Sequence, residues 1–194
     1  MKLCHEFEDI FHLPDDVLTT SSATINKIPI TNNTPIQVKP YRYLEIHRDE
    51  VSQQSKTSTW SSPLWVVPKK TDVSGQQNWR IVIDYRRLNE KIIGNAYSLP
   101  HIEDILDQLG HAHYFTTLNL ANGFHQISVH PDDAQKTGFS TPEGHFEYTQ
   151  MPFDLKNAPA VSQRMVHNVL IGLSNKQCFV YLDDVVIHGF ANII

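Results

Sequence analysis

The sequence predicts an α+β fold, with an antiparallel sheet packed on two helices and a second, strand-rich part beside it. Three observations carry this. Two short runs of β-branched and aromatic residues, Phe179-Val180-Tyr181 and Val185-Val186-Ile187, flank the pair Asp183-Asp184 and read as a tight hairpin. Two stretches place apolar residues at helical spacing: Ile102, Ile105, Leu106 and Leu109, then Val161, Met165, Val169 and Leu173. Leu64 to Pro68 and Trp79 to Tyr85 are strand-like runs separated by a polar loop containing Gly75.

At 194 residues and 40% hydrophobic content the chain is long and apolar enough to pack one or two cores. Its formal net charge of −5 excludes a generally basic nucleic-acid binder. The charge is uneven, however. Lys69, Lys70, Arg80, Arg86, Arg87 and Lys91 stand against Asp72, Asp84 and Glu90, so this window is net +3 and the remainder −8. Such a local basic face suits phosphates, with strong salt dependence. Cys4 and Cys178 are too few and too far apart for a disulfide framework or a Cys-x-x-Cys zinc site, and Cys178 opens an apolar strand, where a thiol is buried and inert. The start, Met1-Lys2-Leu3-Cys4-His5-Glu6, lacks an apolar signal core. No apolar run approaches the ~18 residues of a membrane span. A soluble, intracellular protein with no membrane partner is expected, in cytoplasm or nucleus alike.

Taken in order, residues 1–40 are loosely patterned. Phe7, Ile10, Phe11 and Leu13 suit one short amphipathic turn before Pro14, and Thr31 to Pro35 is a turn cluster. Tyr41 to Gln54 carries a mixed helical pattern through Leu44, Ile46 and Val51, then runs into the polar stretch Ser52 to Ser62. The strands at 64–68 and 79–85 follow. Ser98 to Gly110 is the clearest helix, with Pro100 in the first turn and Gly110 as its stop. His111 and His113 form a His-x-His pair, which without further ligands reads as surface loop. Tyr114 to Leu120 is a strand turned by Ala121-Asn122-Gly123. Pro131 to Tyr148, with Gly138, Pro142 and Gly144, is a polar hairpin. Asn157-Ala158-Pro159 starts the second helix, closed by Gly172 and Asn175.

The Asp183-Asp184 pair alone reads as an ordinary turn. The blocks before it change that. Tyr181-Leu182-Asp183-Asp184 resembles the Tyr-x-Asp-Asp box of reverse transcriptases. Phe115 to Ile127 is similar to that family's first palm motif, and Met151-Pro152-Phe153-Asp154-Leu155-Lys156-Asn157-Ala158-Pro159-Ala160 to its second. Ser61 to Lys70 and Trp79 to Asn89 resemble the fingers strands of gypsy-class long-terminal-repeat retrotransposons. Five blocks in the right order, over roughly residues 40–188, make a specific match.

The resemblance implies a palm and fingers divided as a lead-in segment at 1–40, fingers at 41–97, palm at 98–130, a fingers hairpin at 131–150 and the rest of the palm at 151–194, truncated with no thumb. It implies an RNA-directed DNA polymerase working by two-metal nucleotidyl transfer, with two Mg²⁺ ions, an RNA or DNA template-primer and deoxynucleoside triphosphates. Carried over position by position, Asp183 and Asp184 are catalytic and metal-binding, with the Leu120 backbone carbonyl as a further metal ligand. Lys69 or Lys70, Arg80, Phe124 and Phe153 face the incoming nucleotide, Phe124 lying under the sugar where a 2′-hydroxyl would collide. Arg86 and Asn89 face the template.

The chain departs from the family pattern in places. Asn119 stands where the third catalytic Asp belongs, and an amide oxygen carries no net charge and cannot bridge two metals. Asp154 stands where the family has Gly, beside the triphosphate, with a charge that repels phosphate and a side chain that resists some backbone shapes. An apolar turn before Ser61 is missing, and an end at Ile194 would leave an open palm edge available for pairing. Impaired polymerisation is therefore expected. The alternative is a non-catalytic remnant that binds nucleic acid or an intact polymerase. A His-based zinc hydrolase lacks ligand spacing.

Overall fold

The computed structural model describes residues 19–38, 52–54, 58–68, 79–141, 144–174 and 176–189. Among them the strands form four small sheets. Strand β1 (Ser21–Asn26) runs parallel to β6 (Ile127–Val129). Strand β2 (Ser52–Gln54) pairs with β8 (Gly144–Tyr148), which pairs with β7 (Phe139–Thr141). Strands β3 (Leu64–Pro68) and β4 (Trp79–Ile83) form an antiparallel ribbon. The last sheet has the order β5-β10-β9, from Tyr114–Asn119, Asp184–Gly189 and Cys178–Tyr181, all antiparallel.

Four α-helices accompany these strands among the described residues: α1 (Arg86–Lys91), α2 (Ile102–Leu109), α3 (Pro131–Ala134) and α4 (Ala158–Val169). The α+β class and the antiparallel hairpin around the Asp pair are thus as expected. The β3–β4 ribbon also follows the sequence pattern, but its second strand ends at Ile83 rather than Tyr85. The reason is local. The Asp84 carboxylate accepts the Arg86 backbone N–H at 3.0 Å, an Asx turn that starts α1.

The core gathers Ile28, Leu64, Tyr85, Leu88, Ile127, Phe139 and Met151, all essentially buried. Tyr85 donates its hydroxyl to the Thr137 carbonyl at 2.9 Å, so its polar end is satisfied inside that core. The segment expected as a loose lead-in contributes here: Ile28 and Ile36 are buried, and the Ile28 N–H donates to Asp133 Oδ2 at 2.8 Å. Residues 1–18 and 39–51, with their predicted helical turns, lie outside the described residues.

Four sequence expectations need correction. Ser52–Gln54 is a strand, not the tail of a helical pattern, because β8 offers it a ladder. The segment 131–148 is not one long hairpin: α3 and a 3₁₀ turn (Gln135–Thr137) precede the short β7–β8 hairpin. Helix α2 begins at Ile102 rather than Ser98, since Pro100 precedes it and His101 is extended at ψ 129°. It is also not core: none of its residues is buried, and Ile102 and Leu106 are 52% and 60% exposed. Helix α4 ends at Val169, short of Gly172, and only its first half is covered. Val161 and Met165 are buried, whereas Val169 and Leu173 are exposed.

Candidate active site

The β9–β10 hairpin carries the acids. Tyr181 and Asp184 are its closing pair, which leaves Leu182 and Asp183 as the two-residue turn. Leu182 takes φ +55°, a left-handed conformation that leucine disfavours but that two-residue hairpins need. Support comes from α4. The Gln163 side chain, 3% exposed, donates from Nε2 to the Val180 carbonyl at 2.9 Å and accepts the Leu182 N–H on Oε1 at 2.8 Å.

Strand β5 lies on the other side of β10, with Asn119 directly opposite Asp184. Asn119 Nδ2 donates to Asp184 Oδ1 at 2.9 Å, and the Leu120 N–H donates to the Asp183 carbonyl at 2.8 Å. Sequence positions 65 apart are therefore brought into direct contact. Asp183 is half-buried, and its Oδ1 is buried with no hydrogen-bond partner among the described residues. Burial, and then the neighbouring Asp184 charge, push its carboxyl above the usual carboxylate range. Gly123 explains how the group fits: a Cβ there would stand 3.0 Å from Asp183 Cγ and closer still to Oδ1. Only glycine leaves that space.

Following Gly123 in the chain, Phe124 meets Phe153 edge to face with centroids 5.3 Å apart, and Phe153 meets the His125 ring at 4.9 Å. Phe153 is 50% exposed while His125 is buried, so the cluster is anchored at one end and open at the other. The loop after Phe153 needs a left-handed residue, and Asp154 supplies it at φ +67°. Asn89 braces that loop. It donates from Nδ2 to the Asp154 carbonyl at 2.7 Å and accepts the Lys156 N–H at 2.7 Å. Arg86 forms a bidentate pair with Asp84, which holds the Asp84 carboxyl below its usual range.

Asn119, Asp183, Asp184 and Leu120 are thus gathered at one end of the sheet, while Phe124 and Phe153 form a second group. Asn89 and Arg86 sit on α1, and Asn89 reaches the loop after Phe153. Lys69 and Lys70 lie outside the described residues, as does the side chain of Arg80, whose backbone stands opposite Val67 in the β3–β4 ribbon. Sequence reasoning missed Gln163, Gly123 and His125. Gln163 left one trace, a polar residue beside the apolar Val161 and Met165 positions of α4.

The donors suit a hard divalent cation: a buried, unpartnered carboxylate oxygen beside an exposed carboxylate. The third corner differs, because Asn119 turns an N–H toward Asp184 rather than a negative oxygen. No cluster of three or more His, Cys, Asp or Glu side chains able to hold a metal occurs among the described residues. Nor is any described helix long and apolar enough to cross a membrane.

The reverse transcriptase (RNA-dependent DNA polymerase) family model matches residues 67–190. The retrovirus-related Pol polyprotein from transposon 297 of Drosophila melanogaster is 43% identical over 95% of this chain and 18% of its own length. That from transposon gypsy of the same organism is 40% identical over 91% of the chain and 18% of its length. The chain spans about a fifth of the length of these curated relatives. A crystal structure of prototype foamy virus protease-reverse transcriptase superposes with a TM-score of 0.80 at 25% identity, over 97% of this chain and 26% of that one. The foamy viral protease-reverse transcriptase in complex with an RNA/DNA hybrid shares the fold at a TM-score of 0.79 and 22% identity, over 98% of this chain and 26% of that one.

Proposed function

This chain belongs to the reverse transcriptase family, as a domain of the long-terminal-repeat retrotransposon type, and we propose that it carries a weakened site for metal-dependent nucleotidyl transfer on a nucleic-acid template. The observation that carries this is the contact of Asn119 with Asp184 beside the half-buried Asp183. When bound, divalent ions, Mg²⁺ by choice of ligand, supply the charge that activates a primer hydroxyl and steadies the leaving pyrophosphate. Asp183 and Asp184 hold those ions, with the Leu120 carbonyl alongside. Phe124 and Phe153 form the wall against the sugar and base of a deoxynucleoside triphosphate. Lys69 or Lys70 and Arg80 receive its phosphates. Arg86 and Asn89 lie along the template, with Asn89 acting through the Asp154 loop it braces.

Asn119 weakens the site in two ways. It removes one negative charge, and its N–H occupies an Asp184 lone pair otherwise available to a cation. Asp154 adds a negative charge beside the phosphate path. The same Asn119 contact favours a second reading, a module that holds template-primer without extending it. The foamy viral relatives solved with RNA/DNA hybrid and with double-stranded DNA support nucleic-acid binding in either case.

The test is a Mn²⁺ titration and a primer-extension assay on the full chain and its Asn119→Asp variant. Restoring the carboxylate is expected to tighten Mn²⁺ by about tenfold or more, since a metal-held charge is worth on the order of several kcal/mol. Equal Mn²⁺ affinity in the two proteins would remove the site from consideration. Salt-sensitive duplex binding with no incorporation by either protein would select the binding module.

A further inference from the structure

We infer that Gln163 is the positioning residue for the two acids, a role that deepens the metal site proposed above and rests on it. Strand β9 is an outer strand of its sheet, and near the hairpin turn the groups on its free side take their partners from α4. Two such groups, the Val180 carbonyl in β9 and the Leu182 N–H in the turn itself, are both satisfied by one buried amide. A primary amide is suited to this because it offers a donor and an acceptor on one rigid plane. An aliphatic side chain supplies neither and a carboxylate supplies only acceptors.

The consequence for the site is geometric. Leu182 stands at φ +55°, a conformation that reverts unless its surroundings hold it. With Leu182 held, the Asp183 carbonyl reaches the Leu120 N–H and Asp184 enters β10 opposite Asn119. Without the Gln163 clamp the turn is free to choose another shape, and both carboxylates move with it. Gln163 touches no reacting group. It acts through Leu182.

The experiment uses the full chain, with amide hydrogen exchange and Mn²⁺ titration of the wild type, Gln163→Met and Ser162→Ala. Methionine keeps the volume and flexibility of glutamine and removes both bonds. Ser162 is the buried neighbour on the same helix, and its hydroxyl has no hydrogen-bond partner among the described residues, so it reports on helix packing alone. In Gln163→Met the Leu182 amide is expected to exchange about tenfold faster or more, and Mn²⁺ binding to weaken about 10–100-fold, as for other residues that orient metal ligands. Ser162→Ala leaves both unchanged. A wild-type Leu182 amide that exchanges as freely as an exposed one overturns the inference, whether or not the variants fold. So does a folded Gln163→Met protein that keeps either its Leu182 protection or its Mn²⁺ affinity. A wild type that binds no Mn²⁺ instead defeats the proposed metal site, and the Leu182 exchange then decides the clamp by itself.

Discussion

At the scale of single residues, Asp183 has the most unusual environment in the site. Its Oδ1 is buried without a partner, and its carboxyl is raised above the ordinary 3.8 by burial and by Asp184. A raised folded-state value means that ionising Asp183 costs folding free energy. Its favourable contribution is complete below the unfolded value and is lost as pH climbs through the folded one. Asp84 has the opposite sign, since Arg86 lowers it: its contribution is present above 3.8 and is lost as pH falls through the folded value. Asp183→Asn is therefore expected to be more stable than the wild type at neutral pH. The difference should vanish as pH falls to about the unfolded-state carboxylate value. Urea unfolding of both proteins across that range checks this, and a difference that does not change with pH would contradict it.

Among the elements, α2 and the β3–β4 ribbon show how unevenly the chain invests its apolar residues. Leu64 in β3 is 0% exposed and Leu106 in α2 is 60% exposed, though both sit at apolar positions of a regular pattern. Leu64→Ala should cost about 2–5 kcal/mol of stability through lost burial and a cavity. Leu106→Lys should lie within about 0.5 kcal/mol of the wild type, because the largely exposed side chain gives up little packing. Thermal or urea unfolding separates the two. A large loss in Leu106→Lys would show that α2 packs on something the described contacts do not include. Helix α4 is divided the same way, its first half buried and carrying Gln163, its end open at Val169.

Over the whole molecule, the sheet that carries the acids is covered on one face only in part. Leu118, Val185, Ile187, Met165, Val169 and Leu173 line an apolar cavity of about 430 Å³ between β5, β10 and α4. Strand β5, an outer strand of that sheet among the described residues, is exposed along its whole length. An apolar surface of this kind binds hydrophobic dyes in the native state. The folded chain is expected to enhance anilinonaphthalene sulfonate fluorescence at neutral pH, and Leu118→Gln to reduce that signal without unfolding the protein. A native chain that leaves the dye dark would show the cavity to be closed in solution.

What the sequence determined was whatever depends on local order. The β-branched runs around Asp183 and Asp184 made a hairpin, the periodicity at 158–169 made a helix, and the motif residues carried the family with them. Pairings between distant positions required the tertiary structure. The Asn119 amide on Asp184, the Gln163 clamp on Leu182 and the Gly123 recess for Asp183 join segments 19 to 65 residues apart or pack backbone against side chain. The fate of the apolar stripe on α2 was decided the same way. Periodicity states that a helix has an apolar face, but whether that face is buried depends on what the rest of the chain brings against it.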